Sequence, residues 1–457
     1  MPLHQHQKNI ASDRSRFKII RGGRRGGKTL LETEVMAFKA VQKKGRRVYY
    51  IAPTQKQARE IIWELLKKRL AGKARISEQR LELMLPNNSI IQVAGWENRE
   101  NFRGKPAHHI TFDEVDTMKD FFIGWQEIFR PSLIDTNGSA DFIGTPKKEN
   151  PNLRRLEKEA EGKNDWKAFH FTSWDNPVLP RIELKKYEAQ SDATTYRQEI
   201  LAEYVENEGA LFKYTALIDL FTNSLPKKPD RFMTVDVADD GTDKTIFTLW
   251  QGLEAYNIQQ YTQMQTDGIV SMIRELAAKD SIPYSNITVD AIGVGAGVAS
   301  SPLLKGVMGY KSSYSAMRTE LDPVRLPNVH FRLNAPLTTE YKNLRSQCIF
   351  ELARRVNDHT IAVRIDDQRI KSAIIEELSS YQDVSQGDGK RMATQKEDVK
   401  EQIGRSPDLS DTLIMRMYFE LRDTLSPQQD STKGVIHDKI MQQFRKNEER
   451  LLHQSTR

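Results

Sequence analysis

The first third of the chain alternates short apolar runs with longer segments whose apolar residues recur every three or four positions. Runs at 16–20 (RFKII), 47–53 (RVYYIAP), 89–95 (SIIQVAG), 108–114 (HHITFDE) and 140–146 (ADFIGTP) predict strands. Segments 28–45 (KTLLETEVMAFKAVQKKG, closed by Gly45) and 54–72 (TQKQAREIIWELLKKRLAG) predict helices. Strands alternating with helices predict a parallel sheet covered by helices on both faces. From about Phe171 the pattern loosens, with two prolines and two short helical patterns before 225–230 (LPKKPD), which reads as a linker. A second α/β unit begins at 231–250 (RFMTVDVADDGTDKTIFTLW), read as strand, turn and strand. A further strand follows at 285–293 (SNITVDAIG), then long helical patterns and a polar loop at 384–406. The resulting division is 1–175, 176–225 as a connecting subdomain, 226–425, and a polar tail at 426–457 with one helical pattern at 437–452.

At 457 residues the chain exceeds what one core supports, and 38% hydrophobic with 29% charged residues suits a globular enzyme. No apolar run approaches the roughly 18 residues that span a bilayer, so no membrane association is expected. The first residues lack the apolar centre of a secretory signal. The single Cys348 excludes an intrachain disulfide framework and a Cys-rich zinc cluster, which makes a reducing cytoplasm the default setting. The net charge of +7 is uneven: residues 1–48 hold 13 Lys+Arg against 3 Asp+Glu. Such a face attracts phosphates, although a solvated basic surface has the same composition.

Gly22-x4-Gly27-Lys28-Thr29 satisfies the phosphate-loop pattern and lies between a strand and a helix, as its chemistry requires. Glycines let successive N–H groups face the phosphates, Lys28 reaches the β/γ-phosphates, and the Thr29 hydroxyl ligates Mg²⁺. The strand ending in Asp113-Glu114 supplies the acidic partners: Asp113 for Mg²⁺, and Glu114 to orient or deprotonate the attacking water. Arg24 and Arg25 can stabilise developing charge in cis. Arg103 and Arg130 are candidates to act on a neighbouring subunit, with a structural salt bridge as the alternative for each.

Asp236, Asp290, Asp408 and Asp411 form a second candidate set. Asp236 and Asp290 sit at strand ends beside glycine-rich turns. Gathered together they would hold two Mg²⁺ or Mn²⁺ ions, the arrangement that clamps both oxygens in phosphodiester cleavage. Helix capping by Ser406 or Asp408 is the competing reading. Lys390, Arg391, Lys396, Lys400 and Arg405 precede that helix and suit either a DNA backbone or an exposed loop.

With both sets in view, the chain resembles the large subunit of a tailed-bacteriophage terminase. The resemblance rests on ordered motifs over nearly the whole chain: Gln7, GGRRGGKT, FRGKPAHHITFDEVD, FRPSLID, FIGTPKK, DNPVL, YRQEILAEY, TVDVADDGTDKT, ITVDAIGVGAG and SPDLSDTL. It implies a P-loop (RecA/ASCE-like) ATPase domain followed by a ribonuclease-H-like nuclease domain. It also implies that Gln7 contacts adenine (Gln5 competes), that Arg24 is the arginine within the loop, and that Thr145 couples hydrolysis to movement. Asp236, Asp290 and Asp411 become the metal triad, with Asp408 variable. The cofactors implied are ATP with Mg²⁺ in the first domain and two Mg²⁺ or Mn²⁺ in the second. The implied activity is ATP-driven packaging of double-stranded DNA and cutting of concatemers by a pentameric ring. Portal protein and a small terminase subunit are the implied partners, with the tail (6 Lys+Arg against 4 Asp+Glu) a candidate portal contact. The setting would be the host cytoplasm, transiently at the procapsid portal vertex and not in the mature virion. The alternatives are a DNA helicase or translocase whose second domain only binds DNA, and a non-catalytic assembly ATPase.

Overall fold

The computed structural model describes residues 3–147, 151–206, 209–238, 243–317, 340–385 and 389–425. The expected tail at 426–457 and part of the turn after Asp236 therefore lie outside the described residues. The chain divides into two compact units, residues 1–222 with 365–379, and residues 223–364 with 380 onward.

The first unit is built on eight strands: β1 Phe17–Gly22, β2 Arg47–Ala52, β3 Arg75–Ser77, β4 Glu82–Met84, β5 Ile90–Gly95, β6 His109–Asp113, β7 Ser139–Gly144 and β8 Trp166–Phe171. Their order is β3-β4-β5-β2-β6-β7-β1-β8. β5 through β8 pair in parallel, and β3 and β4 add an antiparallel edge that the hydrophobic pattern does not reveal. β2 shows why helices cover both faces. Tyr49 and Ile51 enter an aromatic core with Phe112, Phe142 and Trp125, whereas Val48, Tyr50 and Ala52 pack with Ile62, Trp63 and Leu66. Side chains alternate across a strand, so a continuous apolar run must be buried on two sides. The helix expected at 54–72 is interrupted by a π segment, Arg59–Trp63, and resumes to Arg69.

The segment expected as a separate connector falls within this unit. Helices Arg181–Gln190 and Ala193–Glu199 lead to residues 200–204, where the Ala202 carbonyl accepts from Arg21 near the end of β1. The helix Gln368–Ser379, expected in the second domain, also belongs here: Arg155 donates to Gln368 (2.6 Å) and Ser372 (3.1 Å), and Arg369 pairs with Glu127 (2.9 Å).

The second unit carries β9 Arg231–Asp236, β10 Lys244–Gln251, β11 Glu254–Thr262, β12 Ile287–Asp290, β13 Met308–Tyr310 and β14 Ala362–Val363. The order is β13-β12-β9-β10-β11-β14. β9, β10 and β11 form an antiparallel meander, while β12 runs parallel to β9 and β13 parallel to β12. This is the ribonuclease-H-like arrangement. The helix Asp408–Leu425 packs on β9 and β10, where Thr412 meets Thr248 at 2.8 Å. No described helix is long and apolar enough to cross a membrane.

Candidate functional sites

β1 ends at Gly22 and, after five intervening residues, the helix Lys28–Val41 begins. Between them the chain turns through a left-handed Arg25 (φ 58°) and Gly27 (φ 100°). A side chain at Gly23 would meet the Ile200 carbonyl at 2.3 Å, so only glycine allows that approach. The Lys28 ammonium is buried. It donates to the carbonyls of Gly22 (2.7 Å) and Gly23 (3.3 Å) and to the Thr145 hydroxyl (2.8 Å), which in turn donates to Gly22 (3.1 Å). Burial lowers its pKa against the pull of Glu114 and Asp113. Thr29 stands half-buried in the first helical turn. Gln7 donates its amide to the Gly27 carbonyl at 2.8 Å, while Gln5 is exposed and bonds Asn9. The structure thus places Gln7, not Gln5, on the loop.

β7 lies between β1 and β6, and its parallel register sets Ile143 beside Asp113 and Gly144 beside Arg21. Thr145 therefore emerges between the phosphate loop and the acidic pair. Asp113 is buried and accepts from the Tyr50 hydroxyl and from the Glu114 amide (2.9 Å). Burial, then repulsion from Glu114, pushes Asp113 up to about 7. Glu114 is half-buried and left-handed (φ 56°), a conformation costly for a residue with a side chain and concentrated at functional turns. Asp116 accepts from the amides of Lys147 (2.9 Å) and Leu153 (2.7 Å), and burial pushes it up to about 8.

A carboxyl group whose folded pKa is raised gives stability that is full below its unfolded value and is lost as pH rises through the folded one. Between pH 5 and 8 the wild-type first unit should therefore lose stability through Asp116 by at most about 1.4 kcal/mol per pH unit. Asp116→Asn should lack that slope, so its stability relative to wild type should rise with pH. Denaturant melts at pH 5 and 8 measure it, and a difference that does not change with pH would refute it.

Arg24 pairs with Glu199, which also holds Lys147 (2.6 Å). Arg25 is exposed, and its carbonyl accepts from Asn176 (2.7 Å). Arg103 pairs with Glu100 (3.0 Å), and Arg130 lies over the Phe17 ring at 5.0 Å. The Arg103 pair is the kind of salt bridge named as its alternative, whereas the Arg130 contact is with a ring.

One turn into the helix after the loop, Glu32 faces His109 and Asp141, all three buried. Thr111 donates to Glu32 at 2.7 Å. Burial raises the pKa values of both acids and keeps His109 neutral, while Lys18 and Lys39 pull Asp141 the other way. The cluster ties the helix to β6 and β7.

In the second unit Asp236 and Asp290 lie one residue beyond the parallel pair Val235–Val289, so two carboxylates end adjacent strands. A side chain at Gly295 would meet the Asp290 carbonyl at 1.9 Å, which explains the glycine-rich turn there. Asp411, in the first turn of its helix, joins them in a cleft of about 540 Å³ also lined by Asp408, Lys396 and Arg345. Burial and the neighbouring acids push Asp236 far up and Asp290 to about 6. Asp411 is held down by Arg345 (2.6 Å) and Lys396 (2.7 Å). Asp290 leaves a buried carboxylate oxygen without a hydrogen-bond partner. Converging acids that repel one another, with an orphaned oxygen among them, fit a divalent cation. Asp408 lines the cleft and accepts from the Lys244 amide at 3.2 Å.

The five basic residues do not form one patch. Lys396 is inside the cleft on Asp411, and Lys400 reaches Asp243 at 3.4 Å. Arg391 lies over the Phe350 ring (3.8 Å) and pairs with Asp383, Arg405 donates to the Ser406 carbonyl (3.3 Å), and Lys390 is exposed.

Sequence reasoning missed Tyr50, Glu199 and Arg345. Arg345 left a readable signal, since it shares a helical stripe with the buried Ile349, Leu352 and Val356. A cation on an apolar stripe needs a buried partner.

Comparison with known proteins adds three findings. Residues 19–218 match the family described as terminase large subunit, T4likevirus-type, N-terminal. Two large terminase subunits are each 27% identical over 46% of this chain, from Escherichia phage T5 (49% of its length) and Thermus virus P23-45 (50%). The chain thus spans about half the length of the curated relatives it matches. Among solved structures it is similar to the Thermus phage P74-26 large terminase ATPase domain (23% identity, TM-score 0.40, 45% of this chain and 94% of that one). It is also similar to a large terminase from a thermophilic bacteriophage (15%, 0.42, 92% and 99%).

Proposed function

We propose that this chain, whose residues 19–218 match the phage terminase large-subunit family, is a motor and nuclease that moves double-stranded DNA and cuts it. The observation that carries the reading is the pairing, in one chain, of a lysine-bearing phosphate loop with a three-carboxylate cleft on a ribonuclease-H-like sheet. Each is assembled wholly from its own unit.

In the first unit the loop amides and Lys28 would take the phosphates of ATP, Thr29 and Asp113 would hold Mg²⁺, and Glu114 would orient the attacking water. Gln7, now bonded to the Gly27 carbonyl, would read the base, and Arg24 would be the cis arginine for developing charge. Lys28 must leave the Thr145 hydroxyl to reach a phosphate. Nucleotide binding is thereby felt at the end of β7, which gives Thr145 its coupling role. In the second unit Asp236, Asp290 and Asp411, with Asp408 beside them, would hold Mg²⁺ or Mn²⁺, which supply Lewis-acid activation of water and phosphate. Lys396 and Arg345 keep Asp411 ionised for that purpose. Lys400 and Lys390 are the remaining candidates at the DNA backbone.

The setting we propose is genome packaging. A pentamer would sit at the procapsid portal vertex in the host cytoplasm, with portal protein, small terminase subunit and concatemeric DNA as partners. The test pairs two assays on the full chain: ATP turnover with and without linear duplex DNA, and nicking of supercoiled plasmid in Mg²⁺ or Mn²⁺ without ATP. DNA-stimulated turnover, with cutting that vanishes in Asp236→Ala, is the expected result. Turnover with no cutting in either ion would favour a translocase whose second unit only binds DNA.

A further inference from the structure

Three buried side chains meet beyond the phosphate loop, one from each of three elements. Glu32 stands one turn into the helix Lys28–Val41, His109 opens β6 and Asp141 lies in β7, and none is more than 2% exposed. One nitrogen or oxygen from each lies within 4.8 Å of the other two. Two of the carboxylate oxygens, Glu32 Oε1 and Asp141 Oδ2, are buried without a hydrogen-bond partner. Asp141 Oδ2 faces His109 Nε2 at 3.9 Å. Other atoms of the cluster are held from behind. The Thr111 hydroxyl donates to Glu32 Oε2 at 2.7 Å, and the Ser139 hydroxyl meets His109 Nδ1 at 2.9 Å. Thr111 Oγ1 also lies 3.3 Å from His109 Nε2, but its one hydrogen is committed to Glu32 and cannot cap that nitrogen's lone pair. The nearby cations are engaged elsewhere: Lys18 donates to the Ile10 carbonyl (2.9 Å) and Lys39 to the Ser139 hydroxyl (3.1 Å).

We propose that Glu32, His109 and Asp141 form a structural metal site, and that its donor set takes Zn²⁺. Mg²⁺ and Ca²⁺ favour oxygen donors and hold waters, which suits an open cleft rather than a dry core. Zinc accepts imidazole and carboxylate together at low coordination number. The contacts from behind have the form that metal ligands require. An Nδ1–H donated to Ser139 Oγ leaves the Nε2 lone pair facing the acids, and Thr111 fixes Glu32 with Oε1 free. Ser139 Oγ has two lone pairs, so it accepts from His109 and Lys39 together. The competing occupant is a proton shared between the two acids, which gives His109 no part in the cluster. The site stands apart from the residues read as holding nucleotide, and it does not depend on the ATP reading. A metal there pins the loop helix to the two strands that run out to Asp113 and Gly144.

The test is the zinc content of the full chain, expressed with zinc in the medium, purified without nucleotide and dialysed against metal-free buffer. The chain carries Asp236→Asn, which weakens the carboxylate cleft of the second unit as a rival site. About one zinc per chain should remain, as expected of a closed structural site. Glu32→Gln, His109→Gln and Asp141→Asn should each lose it. In chain refolded after chelation, zinc at a hundredfold excess over its dissociation constant should raise the melt of the first unit by about 5–10 °C. Should the three variants fail to fold, X-ray absorption at the zinc edge carries the test on the Asp236→Asn chain itself. The expected shell contains imidazole nitrogen with oxygen, which the second cleft cannot give because no histidine lines it. A zinc-free chain, zinc retained in all three variants, or an all-oxygen shell would overturn the proposal and leave a proton as the occupant.

Discussion

Lys28→Ala should lower ATP turnover by about 10²–10³-fold or more while plasmid nicking in Mn²⁺ stays near the wild-type level. The size follows from what the ammonium does. On the proposed reading it would be the charged group offered to the phosphates, and removal of one preorganised donor to transition-state charge costs about 2.7–4 kcal/mol. The structure gives the substitution a second effect. Lys28 donates to the Gly22 and Gly23 carbonyls and to Thr145, so alanine also frees the hydroxyl to which the proposed reading gives the coupling role. Any residual hydrolysis should therefore be uncoupled from DNA stimulation. Folding should survive, because burial already works against the Lys28 charge and the loop remains fastened by Ser173 and Asn176. Nicking should persist because every residue of the second cleft belongs to the other unit. Loss of both activities with an unchanged melt would argue against two separable sites.

The parts of these sites that are legible in the sequence are those written locally. The phosphate loop needs glycine, lysine and threonine at fixed offsets, and the acid pair ends a strand whose apolar run announces burial on both faces. Asp236 and Asp290 can be read because each closes such a run. What escapes depends on pairing across long separations. Nothing near Glu199 marks it as the partner of Arg24, and nothing near Lys396 marks it as the partner of Asp411. The helix Lys396–Ile403 reads as a polar loop because it buries only Val399, which leaves no periodicity to find. Its first residue is a cation at the positive end of a helix, an unfavourable place that the Asp411 carboxylate offsets. The helix Gln368–Ser379 falls to the wrong unit in the sequence for a related reason: amphipathicity shows that a helix packs, but not against what. The two edge strands β3 and β4 are three residues each, too short for alternation to register.

Asp236→Asn and Asp411→Asn should each lower metal-dependent cutting by about 10³-fold, yet change stability in opposite directions. The common loss follows from the several kcal/mol of charge stabilisation that a positioned metal supplies, which needs the full set of carboxylates. The stability difference follows from the partners. Asp236 is buried among Asp290, Asp408 and Asp411, and burial and repulsion raise its pKa far above the ordinary value. Such a group favours the fold only while protonated, and its contribution is lost as pH rises above the unfolded value. At pH 7 to 8 without metal, the neutral amide should therefore stabilise the second unit, raising its melting temperature by about 2–4 °C for each kcal/mol recovered. Asp411 is the reverse case, because Arg345 and Lys396 hold its pKa down. Asparagine there leaves a buried guanidinium and an ammonium without their counterion, a change that typically costs about 3–5 kcal/mol. Adding Mn²⁺ should raise the wild-type melt and move neither variant, since the cation relieves the same repulsion that Asp236→Asn removes. Equal destabilisation by the two substitutions, or a Mn²⁺-induced rise that survives Asp236→Asn, would mean that these carboxylates do not share one cation.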